Sequence, residues 1–197
     1  MKKLLLTLLV ILGISQSYGQ EKFKRFTPGV RGGWNFSNVT NTGGDYRTNF
    51  YIGVQLPIRL AKFYSLQPEL VYSRQGADNA TDRYVYPSNY KGNLDIKLDY
   101  IDINVINKFH FDKVNLQIGP GFAINTKNNE TNIFPIDFTL NLGFGIDITK
   151  RIGIEARWMC GLLDINDSGQ YSYQGNYYDS TEYMRNSTFQ VGAYFRF

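Results

Sequence analysis

Apolar and polar residues alternate along most of this chain. Phe50, Ile52, Val54, Leu56, Ile58 and Leu60 take every second position, with Gly53 and Gln55 on the other face. Leu66, Pro68, Leu70 and Tyr72 oppose Gln67, Glu69, Val71 and Ser73. Val114, Leu116, Ile118, Pro120, Phe122 and Ile124 oppose Asn115, Gln117, Gly119, Gly121, Ala123 and Asn125. The longest stripe, Ile136 to Ile148, opposes Asp137, Thr139, Asn141, Gly143, Gly145 and Asp147. Ile152, Ile154, Ala156 and Trp158 follow, against Gly153, Glu155 and Arg157. The last stripe is Phe189, Val191, Ala193, Phe195 and Phe197. Side chains of an extended chain point alternately to opposite faces, so period two predicts strands with one apolar face each.

Two further strands are less regular. The first, about 26–36, carries Phe26, Val30, Trp34 and Phe36 on one face. Another shifts phase at Tyr100-Ile101, from Leu94, Ile96 and Leu98 to Ile101, Ile103 and Val105, which predicts a bulge or a late strand start. Pro68 and Pro120 conflict with central strands, because proline deletes a ladder hydrogen bond. The connections alternate in length: long at 37–47, 74–93, 126–134 and 166–184, short at 61–64, 110–113 and 149–151. Eight up-and-down antiparallel strands with that rhythm describe an all-β transmembrane barrel, with short periplasmic turns, long extracellular loops and both termini periplasmic.

Alternation alone does not say which face is outside, since a secreted lipocalin-like barrel has the same period with its apolar side chains inward. Three features favour lipid outside. The non-apolar face is rich in glycine, as a narrow lumen requires. Its charges, Glu69, Asp102, Asp137, Glu155, Arg157 and Arg196, are of both signs and form a candidate lumen polar network. Aromatics such as Trp34, Phe63, Phe109, Phe111, Phe134 and Phe197 gather towards strand ends, as in interfacial girdles.

The N-terminus adds an address. Lys2 and Lys3 precede a short apolar core, and Ser17-Tyr-Gly19 offers small residues before a cut at Gln20. Residues 1–19 therefore read as a cleaved signal peptide and 20–197 as the barrel domain. That apolar core is too short to span a bilayer, which takes roughly 20 residues. Losing Lys2 and Lys3 takes the 21 basic residues to 19, against 17 acidic ones, so the pI near 9.0 is no argument for nucleic acid. Cys160 stands alone, which excludes an intramolecular disulfide.

Four stretches carry a family resemblance. They are Ser65-Leu-Gln-Pro-Glu-Leu-Val-Tyr-Ser-Arg-Gln-Gly76, Leu98-Asp-Tyr-Ile-Asp-Ile103, Gln117-Ile-Gly-Pro-Gly121 and Gln190-Val-Gly-Ala-Tyr-Phe-Arg-Phe197, with Gly32-Gly-Trp-Asn-Phe-Ser-Asn38 fitting a first strand. The chain resembles the PorT-like outer-membrane β-barrel proteins of the Bacteroidetes over its whole mature length. Asp102 and Asn104 depart mildly, standing where relatives often read Glu and Pro. The resemblance implies an eight-stranded barrel in the outer membrane. It implies little about activity: the namesake takes part in protein secretion, and most members have no assigned role.

Candidate chemistry is sparse. The single histidine, His110, falls in a predicted periplasmic turn, where turn and interface roles suit it better than catalysis. Asp164, Asn166 and Ser168 before Gly169 echo the start of a calcium loop, but Gly175 stands where a bidentate Glu is needed. No catalytic residue, cofactor site or metal site is expected. The fourth long loop carries Tyr171, Tyr173, Tyr177, Tyr178 and Tyr183 among Ser, Gln, Gly and Asn, the composition of adaptable binding surfaces. Phe189, Val191, Phe195 and Phe197 form a barrel-assembly signal on the closing strand. The expected function is a non-enzymatic surface-interaction barrel or accessory subunit of an envelope complex. A secretion component and a narrow pore are the alternatives. The expected partners are outer-membrane lipid, the barrel-assembly machinery and an envelope protein.

Overall fold

The structure is a computed structural model and describes residues 25–81, 93–126, 135–165, 171–173, 176–178 and 183–197. The proposed signal peptide lies outside them. The described residues form eleven strands in order: β1 (Gly29–Val39), β2 (Asp45–Gln55), β3 (Ile58–Ala61), β4 (Tyr64–Thr81), β5 (Asn93–Phe111), β6 (Val114–Asn125), β7 (Ile136–Asp147), β8 (Ile152–Gly161), β9 (Tyr171–Tyr173), β10 (Asn176–Tyr178) and β11 (Asn186–Arg196). β2 and β3 both pair with β4, so they are two pieces of one barrel strand, broken at Leu56-Pro57. β1 pairs with β2 on one side and β11 on the other, which closes an eight-stranded antiparallel barrel. β9 and β10 form a separate hairpin within the fourth long loop.

The closed sheet decides which face is outside. Trp34 and Ile52 are 62% and 60% exposed, while Arg31, Gln67 and Arg157 are no more than 2% exposed. Apolar side chains point outward around the girth and polar ones inward. The same sheet in water would leave its largest apolar residues wet and bury its charges, so a lipocalin-like arrangement is excluded. Trp34 lies halfway along β1, between Phe50 and Val191, and so belongs to the apolar band rather than to its edge.

Both prolines find places that cost little. Pro68 accepts a hydrogen bond from the Leu56 N–H at 2.9 Å. A strand residue turns its N–H and C=O to the same neighbour, so the missing Pro68 donor faces the break between β2 and β3. At Pro120 the β5–β6 ladder skips a step, running from Asn104↔Gly121 to Asn107↔Ile118.

The phase shift expected at Tyr100 is not a bulge. β5 keeps one register against β6 and alternates without a break, with Ile96, Leu98, Tyr100, Asp102 and Asn104 all buried. What changes is the surroundings. Below Tyr100 the outward residues Ile101, Ile103 and Val105 meet lipid. Above it Asp95, Lys97 and Asp99 point outward, and the lumen side becomes apolar. The strand leaves the apolar band there, and its upper part is patterned like a soluble barrel. The irregularity lies instead on β4, where the register slips between Ala77 and Ala80 around Asn79, whose φ is 53°. Asparagine tolerates that left-handed conformation.

Candidate functional site

Side chains from seven of the eight barrel strands meet in the lumen. Arg31 on β1 donates from Nη1 to Glu69 Oε2 and from Nε to Glu155 Oε1, both at 2.7 Å, and lies over the Tyr51 ring at 4.8 Å. Arg157 on β8 forks onto the same Glu69, Nη1 to Oε2 at 2.7 Å and Nη2 to Oε1 at 3.0 Å. Gln67 Nε2 donates to Glu69 Oε1 at 2.6 Å, and Gln117 Oε1 accepts from Arg157 Nη2 at 2.6 Å. Gln190 on β11 accepts from Arg31 Nη2 at 3.2 Å. Lys108 Nζ stands 3.9 Å from Glu155 Oε2 and 4.6 Å from the Tyr194 ring centroid. Buried charges of this kind persist only when paired and hydrogen-bonded.

The eighth strand contributes space. Gly143 and Gly145 on β7 face this cluster, and a Cβ on Gly145 would stand 3.0 Å from the amides of Asn115 and Gln117. Gly153 on β8 is covered by the Tyr194 ring, and Gly192 by the Tyr51 hydroxyl. Glycine on the lumen face is what lets arginines and tyrosines from neighbouring strands cross the bore. Gly153→Leu is therefore expected to cost about 1–3 kcal/mol by overpacking, read as a lower urea midpoint in lipid vesicles.

The six charged residues expected in the lumen fall in four places. Glu69, Glu155 and Arg157 form the cluster. Asp102 is buried on the same strand as Lys108, with no hydrogen-bond partner for either carboxylate oxygen among the described residues. Asp137 lies towards the extracellular end and accepts the Leu163 N–H at 3.2 Å. Arg196 stands at the periplasmic mouth, with Asp147 at 2.7 Å, rather than in the cluster. Arg31 and Lys108 were missed. Both could have been found by extending the polar faces of their strands, Arg31-Gly33-Asn35-Ser37 and Asp102-Asn104-Ile106-Lys108.

Above the ionic layer lies an apolar one. Val39, Ala77, Ala80, Ile96, Leu98, Tyr100, Ala123, Ile165 and Met184 pack as one buried cluster. Ile165 and Met184 come from the two ends of the fourth long loop and are joined by an N–H···O bond of 2.9 Å. The base of that loop is thus drawn into the barrel mouth.

Of the loop tyrosines, Tyr183 is 64% exposed, with the Arg185 guanidinium 5.8 Å from its ring centroid. Tyr171, Tyr173, Tyr177 and Tyr178 lie on β9 and β10, whose side chains are outside the described residues. Phe189 and Val191 on β11 and Phe197 just past its end point outward, and Phe195 packs edge-on against Phe197 at 5.5 Å. His110 is not in a turn. It is on the last rungs of β5, with Nε2 2.8 Å from the buried Ser65 Oγ on β4. Among the described residues no group of three or more His, Cys, Asp or Glu side chains is placed to hold a metal ion.

Comparison with known proteins agrees with this geometry. Ail, the attachment invasion locus protein of Yersinia pestis, superimposes with a TM-score of 0.50 in its complex with the heparin analogue sucrose octasulfate. That match covers 88% of this chain and 99% of Ail at 13% identity. Neisserial surface protein A gives a TM-score of 0.49 at 14% identity, covering 88% of this chain and 98% of its own. No curated protein sequence matches the chain. The family model described as the outer membrane protein beta-barrel domain matches residues 14–167. The chain belongs to that family and is an integral β-barrel protein of the outer membrane.

Proposed function

We propose that this protein is a non-enzymatic, closed barrel that displays its extracellular loops to a partner, as a surface-interaction protein or an accessory subunit of an envelope complex. The observation that carries the reading is the double closure of the lumen. The Arg31–Glu69–Arg157–Glu155 layer spans the bore, and the apolar layer of Ile96, Leu98, Tyr100, Ile165 and Met184 lies above it. Eight strands enclose a space that side chains just fill, which argues against a pore. The burial of Ser65 favours a strand-locking role for its bond to His110 over a nucleophilic one.

The aromatic and polar residues of the fourth loop, Tyr171 to Tyr183, are the proposed contact surface. Phe189, Val191, Phe195 and Phe197 are the proposed signal to the assembly machinery. The PorT-like relationship of the Bacteroidetes is part of this proposal. It supports a second reading, a component of a protein-secretion system, through the motifs on β4, β5, β6 and β11.

Extraction of outer membranes in mild detergent, followed by a heat-shift gel and mass spectrometry, tests the main reading. A stoichiometric partner is expected, and it should be lost when residues 166–182 are shortened while the heat-shifted band persists. A discrete unitary conductance in planar bilayers that changes in Arg157→Ala would replace the reading with a pore. Cargo retained in the periplasm after gene deletion would replace it with the secretion role.

A further inference from the structure

The two ends of the barrel handle their charges differently. Among the described residues at the extracellular end, Arg47 pairs with Asp78 and Asp95, Lys97 with Asp95 at 3.7 Å and Arg74 with Asp99 at 3.2 Å, while Arg185 lies against the Tyr183 ring. The periplasmic end carries exposed Arg25, Lys62, Lys113, Lys150 and Arg151, against the single exposed side-chain carboxylate of Asp112 among the described residues there. Asp147 is already held by Arg196 and Tyr194. Among the described residues, no ion pair claims Lys113, Lys150 or Arg151.

Their placement follows the perimeter. Arg25 sits beside β3, where its carbonyl accepts the Arg59 N–H at 2.8 Å. Lys62 is in the β3–β4 turn, Lys113 in the β5–β6 turn, and Lys150 and Arg151 in the β7–β8 turn. Each site also carries a large apolar residue that points away from the barrel: Phe26, Phe63, Phe111 and Ile148, all about 60% exposed. An apolar group that enters the acyl boundary, next to a cation at headgroup height, is the arrangement that holds an anionic lipid surface.

We infer that this collar binds anionic phospholipid headgroups of the periplasmic leaflet. The apolar residues continue the lipid-facing band, and the cations repeat at every turn around the circumference rather than gathering on one side. A protein partner would contact one side of the rim, whereas a lipid annulus contacts all of it. Short turns hold each ammonium or guanidinium close to the phosphate plane, and the charge of Lys113, Lys150 and Arg151 is met by lipid phosphate.

The full chain, purified and delipidated, would be given equimolar phosphatidylglycerol and phosphatidylcholine in detergent micelles at low salt. Retained lipid would be counted by native mass spectrometry. The wild type is expected to retain phosphatidylglycerol in preference by roughly tenfold or more, since each basic residue near an anionic surface favours it by about fivefold. The triple variant Lys113→Gln, Lys150→Gln, Arg151→Gln is expected to lose most of that preference while keeping its heat-shifted band. Lys97→Gln at the other end should keep it. Equal retention of the two lipids by the wild type, or a preference unchanged in the triple variant, overturns the inference. The second result would point to an acidic protein partner for the collar.

Discussion

Replacing Glu69 by Ala is expected to destabilise the barrel by about 3–5 kcal/mol, the cost of leaving buried charges without their partner. Glu69 accepts hydrogen bonds from Arg31, from both terminal nitrogens of Arg157 and from Gln67. Without it two guanidiniums share Glu155 in a lumen closed to bulk water. Urea unfolding in lipid vesicles, followed by the fluorescence of the outward-facing Trp34 and Trp158, measures the loss. The double variant Glu69→Gln, Arg157→Met removes one charge of each sign and is expected to recover at least half of the stability, because the pair couples directly. A single variant that loses less than about 1 kcal/mol would mean that the cluster is not what organises the lumen.

The second large effect concerns the outer face. Leu142 lies midway along β7, flanked by Ile118 on β6 and Trp158 on β8. Leu142→Arg places a guanidinium near the middle of the apolar band and is expected to cost about 2–4 kcal/mol in the same unfolding assay. Lys97→Gln, outward on β5 but above the band, is expected to stay within about 0.5 kcal/mol of the wild type. Equal effects at the two positions would mean that the band does not face lipid.

Much of the architecture was legible in the chain. Period two located the barrel strands, the alternation of short and long connections ordered them, and the glycine-rich polar face pointed to a narrow, filled lumen. Glu69, Glu155 and Arg157 could be named as lumen residues because they fall on that face. Arg31 was obscured because Gly32 and Gly33 interrupt the apolar stripe of β1. The change at Tyr100 was misread because a switch of surroundings and a slip of one residue leave the same trace in the order of residues. In a strand that crosses from lipid to water the face that seeks apolar contact reverses, while the backbone runs on unbroken.

The sequence by itself determined the local matter: which segments extend, which residues share a face, and where the chain turns. These follow from backbone geometry and nearest neighbours. Alternation left either face possible and glycine with mixed charge only favoured the polar one; the tertiary structure, by closing the sheet, fixed it as the lumen. It also decided the partners. Arg31 is 38 residues from Glu69 and 124 from Glu155, and they meet because closing β1 onto β11 and β2 brings β1, β4 and β8 around one bore. The ring of Lys62, Lys113, Lys150 and Arg151 came from the same closure, which gathers turns far apart in the chain onto a single rim.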